Sequence, residues 1–425
     1  MARVLAYTSP ARGHLYPLTS ILLELRRRGH DVSVRTLASE VGRMRDLGFD
    51  AEAISDRVEA IQHDDWRAAN PRAGLARSVA TFVARSEFDA PDLRDAIAAE
   101  RPDAVVVDIN SWGAMAAAEA WGGPWAAFCP YPLAISSKDA PPFGPGFAPA
   151  RGPLGRLRDR VARPIVVGTL ERAMVPKANV VRSRLGLAPV ATVDDMLRRP
   201  PLLLYLTAEP FEYPRSDWPA NVVMVGPCEW EPAAEPPVWL AEVSAPIVLV
   251  TTSSEFQGDS RLIQAALDGL AAEPVFVVAT LPAGDPGVLR VPENARVERF
   301  VPHGAILDRA VCAVTHGGMG ATQKALARGV PVCAVPFGRD QPEVARRVEV
   351  ASAGSRLPAS QLTPERLRDK VRAATGRADG AKRIAAAFRT AGGPAAAADA
   401  VEQRLLSASL GRAPAPSPRR SGGPA

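Results

Sequence analysis

The chain has 425 residues, which is too long for one ordinary hydrophobic core and predicts roughly two to three domains. Apolar residues make up 47% and charged residues 23%, close to the average of soluble globular proteins, so a disordered, collagen-like or membrane-bundle chain is excluded. The formal net charge of +5 is small, and no basic stripe interleaved with aromatic residues is present. Composition therefore predicts no nucleic-acid partner.

The cysteines and histidines give no sign of a metal site or a disulfide framework. The four cysteines lie far apart without CxxC spacing, and the five histidines form neither an HExxH nor a His-x-His cluster. The apolar run at residues 4–8 is too short for a signal peptide, and no stretch approaches the ~18 apolar residues of a membrane span. We therefore expect a cytoplasmic protein with no membrane span and no metal.

The first half of the chain predicts an α/β domain. An apolar strand at residues 4–8 is followed by a turn and by a helix whose apolar residues recur at helical spacing, and residues 31–35 form the next strand. Fully apolar strands follow at 104–107 and 125–129, whereas the proline-rich stretch at 139–153 predicts a long loop. Alternating strands and helices are typical of a parallel sheet covered on both faces.

Clustered prolines divide the chain in two. We expect an N-terminal domain at 1–215, a linker at 216–240, a C-terminal domain at 241–408 and a disordered tail at 409–425. The second domain repeats the alternation, with predicted strands at 247–251, 275–279, 297–301, 312–315 and 332–335. Two α/β halves imply a cleft between them, which is a favoured place for ligands.

A glycine-rich turn in the second half predicts an anion site. Thr315 ends a strand, His316 follows it, and glycines at 317, 318 and 320 lead into a helix. Backbone amides and a helix N-terminus attract phosphate, and His316 can donate a hydrogen bond to it. A P-loop is excluded because no GK[ST] follows, and the dinucleotide fingerprint is incomplete because Gln323 stands at its third glycine position. A tight turn without a ligand explains the motif alone equally well.

Asp340 and Gln341 follow the next predicted strand, at the same edge of the sheet. A carboxylate beside an amide offers the acceptors and donors that sugar hydroxyls need. A solvated loop capped by Asp340 is the alternative.

These motifs carry a resemblance to a known family. The chain resembles the inverting GT-B-fold glycosyltransferases of actinobacteria in four motifs. They are the N-terminal Gly13-His14-Leu15-Tyr16-Pro17, the Phe300-Val301-Pro302 run, the turn from Thr315 to Gly320 and the Asp340-Gln341 pair. Those enzymes glycosylate macrolides, enediynes, aromatic polyketides and related natural products. The resemblance covers nearly the whole chain. It implies two Rossmann-like domains that face each other across a cleft, with the acceptor bound by the first and the nucleotide sugar by the second, and it allows the last helix to pack back on the first domain.

The resemblance implies a set of donor-binding residues. It assigns the diphosphate to His316 and the amides of Gly317, Gly318 and Gly320, the pyrimidine to Phe300, Val301 and Pro302, and the sugar hydroxyls to Asp340 and Gln341. Ser253 and Ser254 match residues near the diphosphate, or else cap the following helix. Lys324 stands where many relatives carry a glutamate that contacts ribose, which favours a dTDP-sugar over a UDP-sugar as co-substrate, with no cofactor.

The resemblance also implies a catalytic pair. His14 lies in the loop after the first strand, where a neutral imidazole would take the proton of an acceptor hydroxyl. Asp108 closes the strand at 104–108 and would orient that imidazole, as the aspartate of a serine-hydrolase triad does. The alternatives are a helix-capping His14 and an Asp108 that caps the helix from Trp112 onward. No DxD metal-binding pair lies near the donor motif.

Aromatic residues in the first half are candidates for lining a lipophilic acceptor pocket, although scattered aromatics also build cores. They are Trp66, Phe82, Phe88, Trp112, Phe143 and Phe147. The sequence thus predicts an inverting, metal-independent glycosyltransferase that moves a hexose or deoxyhexose to a natural product. A sugar-nucleotide epimerase, a catalytically silent sugar-nucleotide-binding protein and, more distantly, a nicotinamide dehydrogenase are the alternatives, and a homodimer is left open.

Overall fold

The computed structural model describes residues 1–255 and 257–407, so the tail predicted at 409–425 lies outside the described residues. The two halves of the chain each form an open sheet flanked by helices, and all the strand pairings of both sheets are parallel. This arrangement confirms the predicted α/β fold class.

The first sheet has seven strands. They are β1 (Arg3–Tyr7), β2 (Asp31–Thr36), β3 (Asp50–Ala53), β4 (Ala104–Asp108), β5 (Trp125–Cys129), β6 (Leu202–Tyr205) and β7 (Val222–Met224). The accompanying helices are α1 (Arg12–Arg27), α2 (Ala38–Asp46), α3 (Asp56–Ala60), α4 (Pro71–Glu100), α5 (Trp112–Trp121), α6 (Gly152–Arg184) and α7 (Val193–Leu197). The range predicted as a linker, 216–240, thus contributes β7 to the first sheet.

The second sheet has six strands. They are β8 (Ile247–Thr251), β9 (Phe276–Thr280), β10 (Ala295–Glu298), β11 (Ala310–Thr315), β12 (Val332–Ala334) and β13 (Gly354–Arg356). Its helices are α8 (Arg261–Leu270), α9 (His303–Leu307), α10 (Met319–Ala327), α11 (Gln341–Val350), α12 (Pro364–Thr375), α13 (Ala378–Ala391) and α14 (Pro394–Val401). None of the helices within the described ranges is both long and apolar enough to cross a membrane.

The strand order fixes where ligands can collect. The first sheet runs β3-β2-β1-β4-β5-β6-β7, and the second runs β10-β9-β8-β11-β12-β13. The order reverses between β1 and β4 in one sheet and between β8 and β11 in the other. A crevice opens at the carboxyl ends of the strands at each reversal. Residues that follow these four strands are therefore brought together in pairs.

The central strands are buried on both faces, as parallel sheets require, whereas the edge strands β3, β7 and β10 are partly exposed. Alternate residues of β4 belong to different cores, because Val105 and Val107 pack on one face of the sheet and Ala104 and Val106 on the other. The last helix, α14, packs against α1 in the second of these cores. Arg28 also forms ion pairs with Asp399 and Glu402, at 2.6 and 2.7 Å, so the chain end returns to the first domain.

A buried ion-pair network joins the two domains. Arg347 of α11 lies 2.8 Å from the Glu212 carboxylate of the first domain and 2.9 Å from Glu343 in its own helix. The other oxygen of Glu343 accepts hydrogen bonds from the amides of Gly144 and Gly146, both at 2.8 Å. The segment predicted as a loop, which is irregular as far as residue 151, is therefore seated on α11.

Candidate active site

His14 and Asp108 meet at the reversal point of the first sheet. His14 lies in the first turn of α1, directly after β1, and Asp108 is the last residue of β4. Because β1 and β4 pair directly, the two side chains converge, and His14 Nδ1 lies 2.9 Å from Asp108 Oδ1. The predicted pair is thus assembled in space from positions 94 residues apart.

The Asp108 carboxylate is fully buried and well supplied with donors. Its Oδ2 accepts from the amide of Ser9 at 3.0 Å and from the Ser9 hydroxyl at 2.6 Å, and its Oδ1 accepts from the Asn110 amide at 2.9 Å. Burial alone would raise the pKa of Asp108, but the charge of His14 and these hydrogen bonds hold that pKa below its ordinary value. The carboxylate therefore stays ionised next to the imidazole.

The ionised carboxylate fixes the tautomer of His14. Nδ1 donates its proton to Asp108, which leaves Nε2 as the acceptor nitrogen. The side-chain nitrogen of Asn110, Nδ2, lies 3.4 Å from His14 Nε2, and the side-chain oxygen of Asn110, Oδ1, accepts from the Tyr131 hydroxyl at 2.7 Å. The sequence analysis identified neither Asn110 nor Tyr131 as part of this site. The position of Tyr131, two residues after β5 at the same sheet edge, is the signal that could have identified it.

The pKa of His14 is raised above its ordinary value. Burial by itself would lower it, yet the negative charge of Asp108 and the hydrogen bond to it outweigh burial. Glu255 and Asp340 of the second domain add to the increase. Two predicted residues from opposite domains, His14 and Asp340, are thus close enough to influence each other's charge.

The glycine-rich turn occupies the reversal point of the second sheet. His316 follows β11, which pairs with β8, and Gly318 is the N-cap of α10. Gly317 has φ +84°, a left-handed conformation that favours glycine. A Cβ on Gly318 would lie 2.4 Å from His316 Nε2, so the imidazole occupies the space that only a glycine leaves free.

His316 Nδ1 and the first amides of α10 are unpaired polar groups among the described residues. His316 is buried, with an exposed fraction of 8%, and its Nδ1 has no hydrogen-bond partner among the residues the structure describes. The first amides of a helix lack intrahelical partners, and Gly320 lies in that first turn. The amide of Gly317, in contrast, already donates to the Thr315 hydroxyl at 3.1 Å. The turn can thus bind an anion through His316 and the amides from Gly318 onward.

Burial lowers the pKa of His316, and the positive charge of Arg339 lowers it further, although Asp259 and a backbone hydrogen bond at Thr251 oppose this. The imidazole is therefore neutral near pH 7. A neutral imidazole carries one N–H, so the His316 tautomer with its proton on the unpaired Nδ1 can donate to a phosphate oxygen.

The two serines after β8 differ in exposure. Ser253 is buried, its amide donates to Asp259 at 2.8 Å, and its hydroxyl accepts from Gln257 at 2.8 Å and from the Glu255 amide at 3.2 Å. Ser254 is exposed. Ser253 thus shapes the loop, while Ser254 is open to solvent.

Asp340 and Gln341 lie at the start of α11, beside the glycine-rich turn. Burial raises the pKa of Asp340, which is half-buried. The Gln341 oxygen accepts from the amides of Phe337 and Gly338, at 2.7 and 3.0 Å, and its nitrogen donates to Gln257 at 2.7 Å. Gln341 therefore holds the turn that carries Asp340.

The residues predicted for the pyrimidine precede α9. Phe300 is exposed, whereas Val301 and Pro302 are buried and Val301 belongs to a core. Close by, Lys324 pairs with Glu231 at 2.9 Å, and the Glu231 carboxylate accepts from the amides of His303 and Gly304. The sequence did not indicate that the charge of Lys324 is balanced in this way.

The candidate acceptor aromatics are not all brought together. Phe82 and Trp112 lie 5.5 Å apart between ring centroids. Phe88 is on another face of α4, because six residues rotate a helix by roughly 240°, and the Arg57 guanidinium covers its ring. Trp66 lies next to Gly258 of the second domain, and Phe143 lies in the loop seated on α11. Phe147 is covered by Arg158.

Across the described ranges, no group of three or more His, Cys, Asp or Glu side chains is arranged to hold a metal ion.

Known proteins resemble this chain over most of its length. Residues 264–402 match the family model described as "Erythromycin biosynthesis protein CIII-like, C-terminal domain". The chain is 34% identical over 388 residues to 4'-demethylrebeccamycin synthase of Lentzea aerocolonigenes, covering 88% of this chain and 91% of that protein. It is 26% identical over 428 residues to demethyllactenocin mycarosyltransferase of Streptomyces fradiae, covering 95% and 87%.

Solved structures give the same result for the fold. The glycosyltransferase of kitacinnamycin superposes with a TM-score of 0.72 at 24% identity, covering 95% of this chain and 99% of that chain. The glycosyltransferase VinC in complex with dTDP superposes with a TM-score of 0.69 at 21% identity, covering 96% and 100%. The predicted GT-B fold is confirmed.

Proposed function

Because the chain belongs to the glycosyltransferases of actinobacterial natural-product biosynthesis, we propose that it catalyses an inverting, metal-independent transfer of a hexose or deoxyhexose from a nucleoside-diphosphate sugar to a lipophilic natural product. One observation carries the proposal. An oriented imidazole, His14, stands at the reversal point of one sheet, and an anion-binding turn with His316 stands at that of the other.

In the proposed reaction His14 is the general base. An acceptor hydroxyl attacks the anomeric carbon, its proton passes to His14 Nε2, and the bond from that carbon to the diphosphate oxygen breaks. Asp108 stabilises the imidazolium that forms, because it is ionised and bonded to Nδ1. Proton removal of this kind contributes typically about 10²- to 10⁴-fold to a rate.

The leaving diphosphate carries away the negative charge. We assign its stabilisation to His316 and to the amides at the start of α10, because preorganised donors in a buried site stabilise a developing anion strongly. Attack from the side of His14 and departure toward His316 place nucleophile and leaving group on opposite faces of the sugar, which gives inversion.

We propose that the donor is a thymidine diphosphate sugar in preference to a uridine diphosphate sugar. Lys324 and Glu231 neutralise each other, so the site lacks the free carboxylate beside the ribose that many uridine-using relatives carry. Solved neighbours have been determined with thymidine diphosphate, among them VinC and the Streptomyces glycosyltransferase SsfS6. Asp340 is assigned to the sugar hydroxyls, and Phe300, with its exposed ring, to the base.

The acceptor is assigned to the first domain. The Phe82 and Trp112 rings offer an apolar wall on the side of His14's domain, and the relatives named above act on natural products. A lipophilic polycyclic or macrolide acceptor fits this chemistry.

The test is a binding titration followed by an activity assay. Calorimetry with dTDP, UDP and NAD should show binding of a pyrimidine diphosphate, with dTDP tighter, and no binding of NAD. His316→Ala should weaken that binding by roughly 10- to 100-fold, since a hydrogen bond to a charged group contributes about 1.5–3 kcal/mol. Matching sugar donors are then screened against lipophilic acceptors. Binding of NAD alone would overturn the proposal, and binding of dTDP-sugar with epimerisation but no transfer would favour the epimerase.

A further inference from the structure

A segment of the first domain reaches across the cleft to the donor loops. Residues 61–70, here called the strap, connect α3 to α4 and contain a short 3₁₀ turn at Asp65–Arg67. The strap belongs to the first domain in sequence, yet its tip contacts two loops of the second domain. Both of those loops carry residues assigned above to the donor.

The first contact is a bidentate ion pair. Arg339 Nε lies 2.7 Å from Asp65 Oδ2, and Arg339 Nη2 lies 2.7 Å from Asp65 Oδ1. Asp65 is buried, and a quarter of the Arg339 side chain is exposed. Paired fork-like hydrogen bonds of this geometry are among the stronger polar contacts in proteins, and they fix orientation as well as distance.

The second contact is apolar. The Trp66 ring lies 3.8 Å from the position that a Cβ on Gly258 would occupy, and Gly258 has φ +68°. Gly258 follows Gln257, which bonds to Ser253 and to Gln341. The strap therefore covers both the loop after β8 and the turn before α11.

The root of the strap is anchored on the wall assigned to the acceptor. Arg85, a buried residue of α4, donates to the carbonyl oxygen of Ile61 at 3.0 Å. The His63 ring packs edge-on against Phe82, with the centroids 5.5 Å apart. Burial, followed by the positive charges of Arg85 and Arg339, lowers the pKa of His63 to about 3, so this ring is neutral at pH 7.

Arg339 needs an external partner to hold its conformation. Its φ is +53°, which places a non-glycine residue in the left-handed region at a cost of about 1–3 kcal/mol. Within the turn, the Gln341 side-chain oxygen accepts hydrogen bonds from the backbone amides of Phe337 and Gly338. Outside the turn, the Arg339 guanidinium lies 2.7 Å from the Asp65 carboxylate and 3.4 Å from the Glu255 carboxylate, so Asp65 is its nearer partner.

We infer that Asp65 is a positioning residue for the donor sugar: through its bidentate pair with Arg339 it fixes the turn that carries Asp340, and it thereby ties the sugar site to the acceptor wall at Phe82. The inference rests on the proposed function in one respect, the assignment of Asp340 to the sugar hydroxyls. Asp65 touches neither substrate nor reacting atoms in this arrangement.

The chain offers a matched control. Asp64, the neighbour of Asp65 in the strap, pairs with Arg77 at an exposed site. Asp65→Asn and Asp64→Asn therefore remove the same charge from adjacent positions, and only the first weakens the contact across the cleft. Asp64→Asn should keep the melting temperature of the wild type within about 2 °C, whereas Asp65→Asn should lower it by a few degrees without unfolding the protein, because it weakens a largely buried pair but truncates no core side chain.

Two readouts test the inference. In the ligand-free protein, hydrogen exchange of a peptide that spans 336–346 should become faster in Asp65→Asn and stay unchanged in Asp64→Asn. In steady-state assays, Asp65→Asn should raise the KM for the nucleotide sugar by roughly tenfold, while the affinity for the nucleoside diphosphate alone stays within about twofold. A residue that only supports the fold would not separate these two affinities.

Each outcome decides the inference. If Asp65→Asn matches Asp64→Asn in exchange and in KM, or if it weakens the nucleoside diphosphate as much as the nucleotide sugar, the inference is wrong. The double variant Asp65→Arg, Arg339→Asp should restore the slow exchange, because the pair is reversed and aspartate tolerates the left-handed conformation. If the wild type binds no nucleoside diphosphate, the proposed function fails, and the exchange comparison alone decides whether Asp65 fixes the turn.

Discussion

The two reversal points carry histidines in opposite states. At the first, His14 has a partner at both ring nitrogens, and Asp108 raises its pKa. At the second, His316 Nδ1 has no partner among the described residues, and burial lowers its pKa. The same topology and the same side chain therefore give an imidazole bonded to a carboxylate in one domain and, among the described residues, a neutral imidazole with an unpaired ring nitrogen in the other. The difference comes from the adjacent strand, because β4 beside β1 ends in the Asp108 carboxylate, whereas β8 beside β11 leads into a loop closed by Ser253.

The contrast lies in which hydrogen-bonding groups of the two histidines are already paired within the protein. A proton acceptor must be oriented before the substrate arrives, so its own hydrogen bonds are satisfied by the protein. Under the proposed function, His316 keeps a hydrogen bond for the ligand, which agrees with its Nδ1 having no partner among the described residues. Substitutions at the two edges and at the network between them test this contrast, beginning with the largest expected effect.

Removal of the first imidazole should separate chemistry from binding. His14→Ala is expected to lower kcat by about 10²- to 10⁴-fold and to leave the affinity for dTDP within about twofold, because the base acts on the acceptor and lies in the other domain. The measurement is single-turnover transfer beside calorimetry with dTDP. Turnover retained near the wild-type rate would remove His14 from the base role.

The two edges lie in different domains, and the buried network at Arg347 joins those domains. Arg347→Ala should destabilise the protein by about 3–5 kcal/mol, because it leaves the Glu212 and Glu343 carboxylates buried without their partner. The control is Arg372→Ala, which removes an exposed pair with Glu273 and should leave the stability close to that of the wild type. Denaturant unfolding measures both. Equal costs would show that the interdomain network contributes no more than a surface pair.

The glycine-rich turn can be tested without removing the histidine. Gly318→Ala places a Cβ 2.4 Å from His316 Nε2, so the ring must move and dTDP affinity should fall by roughly tenfold. Gly320→Ala is the matched control, since nothing lies within 4 Å of its Cβ position and its amide is kept. Calorimetry with dTDP compares the two. If both variants bind alike, the orientation of His316 does not matter for the nucleotide.

The smallest effect is a shift in pH dependence. His14 must be neutral to accept a proton, and its pKa is raised, so kcat should fall as the pH drops through a value above about 6.5. Asp108→Asn removes the charge that raises this pKa, so the acid limb should move to lower pH while the rate falls. A pH–rate profile of both proteins checks the direction. An acid limb that stays in place would mean that another group titrates.

The stability that the His14–Asp108 pair contributes and the expected activity of His14 change in opposite directions with pH. Since its folded pKa is raised, the His14–Asp108 pair stabilises the protein most below the unfolded pKa of about 6.5, and this contribution is lost as pH rises through the folded pKa. Under the proposed mechanism, His14 is therefore most active as a base at a pH where its charged pair with Asp108 no longer stabilises the fold.

Several features were predictable from residues alone because they depend on local pattern. The strands around 104–107 and 247–251, the glycine turn after Thr315 and the placement of Asp108 at a strand end all follow from short-range periodicity and turn chemistry. Other contacts join positions that no local pattern connects. Asp65 and Arg339 are 274 residues apart, and Gly146 and Glu343 are 197 apart.

The sequence by itself determined the two α/β domains, the glycine-rich turn after a strand end and the pairing of His14 with Asp108, because each depends on which residues end a strand in a parallel sheet. Only the tertiary structure decided which polar groups are already paired: that the Gly317 amide and the Gln341 side chain are bonded within their turns, that Lys324 is balanced by Glu231, and that the strap carries Asp65 across the cleft. Hydrogen bonds and ion pairs act over about 3–4 Å, so which groups remain free for a ligand depends on distances that only the packing of the two domains sets.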